Sequence, residues 1–127
     1  MRVVKFFALS SLAVIIYDAA ASIASLAFGF PYANSAYGSA VLYLAFAFLC
    51  ARRLGFGLAV LLGAVMGLVD STLGWAISWA IGAGALPPGT LTPLSWLFTA
   101  VFVVALGAIY GLVGGSLGAF TRRRREA

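Results

Sequence analysis

The chain reads as four long apolar runs separated by short joints rich in glycine, proline or arginine. Apolar residues are nearly continuous through about 6–28, 33–51, 54–81 and 94–120. Each run has the length a helix needs to cross the hydrocarbon core of a bilayer, about 20 residues. A Gly-Phe-Pro-Tyr turn at 29–32 separates the first two, Arg52-Arg53 the middle two, and a loop over 82–93 containing Pro87-Pro88-Gly89 the last two. The runs are too long and unbroken for strands, and their Gly and Ala content suits helices packing in lipid better than the alternation of a barrel. The expected fold class is all-α, an integral membrane protein with a single four-helix transmembrane domain over 1–127 built of two in–out–in hairpins. Runs beyond 25 residues imply tilted helices or ends that project from the bilayer.

Composition supports that reading. Of the 127 residues, 64% are hydrophobic and 9% charged, more apolar surface than a water-soluble domain of this size can bury. There is no histidine and a single cysteine, Cys50. Histidine-ligated metals and haem, Ser–His and Cys–His nucleophile pairs and an internal disulfide are thereby excluded for this chain. No cofactor and no enzymatic activity are expected. Cys50 beside Arg52-Arg53 is read as a plain buried thiol, with palmitoylation as the alternative.

Charge sets the expected orientation. Arg2 and Lys5 precede the first run, Arg52 and Arg53 join the second to the third, and Arg122, Arg123, Arg124 and Arg125 follow the fourth. All eight basic residues fall on one side, so the positive-inside rule places both termini in the cytoplasm and argues against dual topology. The expected location is a bacterial or archaeal plasma membrane. Arg52, Arg53 and the four terminal arginines anchor the inner interface, the last as a stop-transfer cluster near anionic headgroups rather than a nucleic-acid contact. Tyr32, Tyr37, Trp79 and Trp96 fall near the outer boundary, where amphipathic rings are favoured, and Trp75 one turn deeper. Residues 1–5, the apolar run and Ala19-Ala20-Ala21 together imitate a secretory signal, but the segment is read as a retained first helix.

Two carboxylates interrupt the apolar runs, Asp18 in the first and Asp70 in the third. An aspartate at the centre of a membrane helix costs about 2.5–3.5 kcal/mol on insertion scales, so each calls for a use. Both lie on lines of small or polar residues at helical spacing: Ser11, Asp18, Ser22, Ser25 and Gly29, and Gly63, Gly67, Asp70, Gly74 and Ser78. The two lines are expected to face each other or a shared interior. No Lys or Arg occurs at that depth, so a proton or another cation is the expected counter-charge. Ser22 and Ser25 are candidate ligands, with Ser71 and Thr72 weaker ones because they sit on other faces than Asp70. A shift of 52 residues brings Asp18 onto Asp70, consistent with a doubled two-helix unit. Gly107, Gly111, Gly114, Gly115 and Gly118 in the fourth run, with Gly63 and Gly67 in the third, form small-xxx-small patterns that allow close helix approach, within the chain or between protomers of a homo-oligomer.

Some of these residues carry resemblances. Tyr17-Asp18 resembles the Tyr-Asp half of the presenilin-type intramembrane protease signature, but Gly67-Leu68-Val69-Asp70 departs from the partner motif Gly-x-Gly-Asp. Lys5-Phe6, Asp18, Ala33-Asn34 and Phe48-Leu49-Cys50-Ala51-Arg52-Arg53-Leu54-Gly55-Phe56 resemble the first hairpin of the GtrA-like family of small four-span proteins. That likeness covers under half the chain and implies flipping of polyprenyl-phosphate sugars. Both asparagines of the family's closing motif are replaced, by Ala47 and Ala51. The small multidrug-resistance transporters are similar in size and span number but carry a first-span Glu that this chain lacks. The leading expectation is a small, oligomeric channel or carrier moving protons, cations or a cationic or lipid-linked solute through Asp18 and Asp70. The alternatives are a non-catalytic subunit of a larger membrane complex and, less naturally, a holin-like lesion former.

Overall fold

The computed structural model describes residues 2–84, 89–90 and 92–126; the expected breakers Pro87-Pro88 and the side chain of Arg125 lie outside the described residues. The described residues are helical with no strand among them. Helix α1 spans Arg2–Phe28; a 3-10 turn at Tyr32–Ser35 leads into α2, Ala36–Arg53. Helix α3, Phe56–Val69, passes through one π-helical turn, Asp70–Gly74, into α4, Trp75–Ile81, and α5 covers Pro93–Glu126. Four helical runs, Arg2–Phe28, Tyr32–Arg53, Phe56–Ile81 and Pro93–Arg124, are long and apolar enough to cross a membrane. The start of α1 and the ends of α2 and α5 run past the apolar limits, because Lys and Arg are good helix formers and carry the turn on past the greasy stretch.

Each joint has a local cause. Gly29, at φ +72°, closes α1 by donating its N–H to the Ser25 carbonyl at 2.9 Å, and Pro31 prevents resumption. At the α2–α3 corner the N–H groups of Leu54 and Gly55 both reach the Cys50 carbonyl, and Gly55 adopts φ +120°, ψ 160°, a region open in practice to glycine alone. Helix α5 opens with Pro93 at its first position and a reciprocal cap: Thr92 N–H donates to Ser95 Oγ at 2.9 Å and Ser95 N–H to Thr92 Oγ1 at 3.1 Å.

Glycines decide how the helices meet. A Cβ on Gly63 would fall on the Gly107 carbonyl and one on Gly107 on the Gly63 carbonyl, while Gly67 faces Val103–Val104 and Gly111 faces Ala59–Val60. This is an antiparallel, backbone-to-backbone approach of α3 and α5. Gly114 and Gly118 point from another side of α5 onto Leu44 and Phe48 of α2, parallel to it. Gly63, Gly67, Gly107, Gly111, Gly114 and Gly118 are therefore spent inside the chain, one of the two uses that their spacing allows. Helix α1 runs parallel to α3–α4 and does not approach α5. Closure of the two hairpins differs accordingly: α3 meets α5 through glycines, whereas α1 meets α2 through Tyr17, whose hydroxyl lies over Gly38 and donates to the Ser35 carbonyl at 2.7 Å.

The helix directions bring Arg2, Lys5, Arg52, Arg53 and the α5 terminus to one end of the bundle. Most interior positions are small or polar (Ser10, Val14, Asp18, Ala47, Cys50, Ala59), with Tyr43, Leu62 and Met66 the larger buried ones, while many large apolar side chains such as Phe28, Phe98 and Phe102 are exposed. That inversion of a soluble protein's pattern is compatible with residence in a membrane. Cys50, as expected, is a buried free thiol.

Candidate functional site

The buried line along α1 is Ser10, Val14, Asp18, Ser22 and Ser25. It follows steps of four, and of three at the end, so it slants round the helix. Ser11 is only half-buried and Gly29 is the exposed helix cap. Facing it are Gly74 and Ser78, with Asp70 half-buried beside them, whereas Gly63 and Gly67, the other members of the expected line, turn to α5. The lines meet as the spacing anticipates: Ser22 Oγ donates to Ser78 Oγ at 2.9 Å, and a Cβ on Gly74 would collide with Asp18 Oδ2 and lie 3.2 Å from Asp70 Oδ1. The two carboxyls thus close around the one glycine that leaves them room. Asp18 is 1% exposed, and no donor among the described residues reaches its Oδ2.

The π turn was not legible in the sequence, and it begins at Asp70 itself. One extra residue in the turn widens it and loosens the carbonyl ladder, which outside groups then use. Tyr43 Oη lies 3.2 Å from the Met66 carbonyl and 2.6 Å from Asp70 Oδ2, its shorter bond; Ser71 and Thr72 hydroxyls donate to the Leu68 carbonyl, and Trp96 Nε1–H donates to the Ser71 carbonyl at 3.2 Å. The turn also places Asp70 and Ser71 together on the wall of one cavity.

That cavity, about 240 Å³, takes residues from α1, α2, the π turn, α4 and α5: Asp18, Tyr43, Asp70 and Trp75 around its depth, with Thr99 and Tyr110 from α5. It lies beyond the contacts of Gly114 and Gly118 with α2 and the Tyr43–Tyr110 stack, where α5 follows α3 through Gly107. Thr99 is exposed at the mouth; Asp18, Tyr43 and Ser71 are buried. No Lys or Arg lines it.

The other expected ligands lie elsewhere. Ser22 is held by the Asp18 carbonyl and Ser78, and Ser78 in turn meets Tyr32 Oη at 2.6 Å, so this hydroxyl chain ties α1 to α4 and to the 3-10 turn. Ser25 Oγ donates to the Phe30 carbonyl at 2.6 Å and stabilises the turn after α1. Thr72 bonds back along its own helix and does not line the cavity. Gly115 packs on Ala59 and Phe56. Of the aromatic and basic anchors, Trp79 is exposed and packs on Trp75, Trp96 spends its N–H inside the bundle, Arg52 stacks over Phe48 and Arg124 over Phe120. Arg53, Arg122 and Arg123 are exposed at the same end.

Sequence reasoning missed Tyr43, the hydroxyl that meets Asp70, and Tyr110, which stacks edge-on against it at 5.9 Å. Their rings sit in apolar runs where an aromatic looks like filling; only an unpaired aspartate elsewhere hinted that some hydroxyl must come to it. No family model, curated protein or solved structure matches the chain.

Proposed function

We propose that the chain is a small membrane transport protein, both termini on the cytoplasmic side, that moves protons or a small cation through the Asp18–Asp70 pair. The observation that carries this reading is a buried carboxyl pair, one oxygen of which has no donor, at the inner end of a cavity that opens between α2 and α5. Two neighbouring carboxylates without a basic group beside them are reconciled by one shared proton or by a bound cation. Asp70, half-buried and oriented by Tyr43, is the group that meets the solute; Asp18 behind it holds the proton. The eight basic residues gathered at one end support the orientation.

The same cavity argues for a cation over a polyprenyl phosphate, because a phosphate there would face two carboxyls with no Lys or Arg to offset its charge. Convergent aspartates also bring an aspartyl-protease dyad to mind. The partner motif Gly-x-Gly-Asp of such a dyad is missing, with Gly67-Leu68-Val69-Asp70 in its place.

Wild type, Asp18→Asn and Asp70→Asn reconstituted in liposomes provide the test, read as proton and sodium or potassium flux. Wild-type flux lost in Asp70→Asn and reduced in Asp18→Asn is expected. Equal flux from all three overturns the role of the pair, and a silent wild type that co-purifies with other membrane subunits favours the structural-subunit reading instead.

A further inference from the structure

The walls of the cavity are unlike those of a site for a bare metal ion. Four aromatic side chains, Tyr32, Tyr43, Trp75 and Tyr110, stand around the carboxyl pair, and much of the remaining lining is alanine or aliphatic. Besides the two carboxyls, the cavity's side-chain oxygens are neutral hydroxyls, several of them already engaged in hydrogen bonds. Tyr43 is taken up by Asp70, Tyr32 by Ser78, the Ser71 hydroxyl by the Leu68 carbonyl, and the Ser35 carbonyl by Tyr17. A hard cation stripped of water asks for about six or more oxygens, whereas an ammonium carrying alkyl or aryl groups needs one carboxylate for its charge and aromatic faces for its substituents. The volume, about 240 Å³, holds roughly eight waters' worth of solute and so a cation of a similar number of heavy atoms.

We propose that the cargo of this site is a small organic ammonium, a protonated or quaternary amine, bound with its charge against Asp70 and its substituents against Trp75 and Tyr110. The assignment rests on the transport reading above and narrows it to one class of solute. The route in is consistent with such a solute: the mouth lies between α2 and α5 at Thr99, next in sequence to the exposed Phe98 and close to the exposed Phe102, a flank that favours an amphiphilic cation over a hydrated one. A ring over a cation is worth about a tenfold change in affinity in a desolvated site.

Proteoliposomes loaded for uptake of labelled tetraethylammonium, with sodium and proton flux followed in the same vesicles, test the proposal. Saturable tetraethylammonium uptake is expected, abolished in Asp70→Asn and not displaced by a large excess of sodium. Trp75→Leu and Tyr110→Leu each lower it about tenfold, the scale of one lost ring–cation contact. Trp75→Phe, which keeps a ring, falls between Trp75→Leu and wild type. Tetraethylammonium uptake that is absent, that sodium displaces, or that both leucine variants leave unchanged overturns the assignment. If Asp70-dependent sodium or proton flux persists without tetraethylammonium uptake, the ammonium assignment fails while the transport reading stands; if no solute moves, both fail.

Discussion

At the scale of single residues, the site depends on what surrounds two carboxyls rather than on the carboxyls alone. Tyr43 is the only side-chain donor among the described residues that reaches Asp70, at 2.6 Å. A hydrogen bond to a charged group contributes about 1.5–3 kcal/mol. Tyr43→Phe is therefore expected to keep the fold, since its ring still packs on Tyr110, and to slow Asp70-dependent flux by about tenfold or more. Comparing its flux with its thermal melt in detergent separates the two effects. Gly74 has the opposite role, as empty space. A methyl group there meets Asp18 Oδ2 directly, so Gly74→Ala is expected to cost about 1–3 kcal/mol of stability and to push the carboxyls apart. Gly57, where an added Cβ meets nothing within 4 Å, is the control: Gly57→Ala leaves both stability and flux near wild type. A Gly74→Ala protein that melts and transports like Gly57→Ala would show that the pair does not close around this position.

At the scale of elements, two devices position the cavity. The first is the π turn at Asp70–Gly74, an inserted residue in an otherwise regular helix. Deleting Thr72, which does not line the cavity, is expected to restore a regular helix and to leave Trp75–Ile81 on the faces they now occupy, because the wide turn already absorbs the extra residue. The Ser22–Ser78 contact would then persist while Asp70 and Ser71 shift against Tyr43 and the cavity, and Asp70-dependent flux is expected to fall although helix content by circular dichroism stays the same. Retained flux in the deletion would mean that the wide turn is dispensable. The second device is the glycine seam. Gly63→Leu forces a side chain into the Gly107 backbone with no flexible neighbour to yield. Lost tight packing and overpacking together are expected to cost about 3 kcal/mol or more, read as a lower midpoint in denaturant titration of the detergent-solubilised protein. Because the same seam swings α5 away from α2, the variant should lose the cavity along with its stability.

At the scale of the whole molecule, the arrangement is a bundle with large side chains outside and small ones inside, basic at one end. The orientation proposed here predicts that a cysteine at Arg123 is labelled by a membrane-impermeant maleimide only from the cytoplasmic face and one at Gly89 only from the opposite face, in a Cys50→Ala background. The reverse pattern would invert the topology without touching the account of the site. Helix-in-lipid physics made much of this legible in advance. Apolar runs of about 20 residues have few solutions other than helices, because every backbone polar group has to be satisfied within its own segment. The meeting of Asp18 with Gly74 and of Ser22 with Ser78 was likewise implied by spacing, since polar residues on adjoining faces have nowhere else to go.

What lay beyond that reading involved choices between equivalent neighbours. Periodicity says that Gly107, Gly111, Gly114, Gly115 and Gly118 allow close approach, but it does not say to which helix; the structure gives the first two and Gly115 to α3 and the others to α2. It could not show that Ser25 would serve the Phe30 carbonyl, because a serine hydroxyl takes the nearest free acceptor, and that acceptor exists only once the turn after α1 has formed. Nor could it show the π turn, since one extra residue in a helix leaves no mark in composition and is stabilised by partners such as Trp96, 25 positions away. The sequence by itself determined the helices, their apolar exteriors and the two carboxyls that need an interior. Tertiary structure alone decided that those carboxyls meet at one glycine, with Tyr43 on Asp70, in the wall of one cavity, because that outcome depends on which backbone each small residue lets approach.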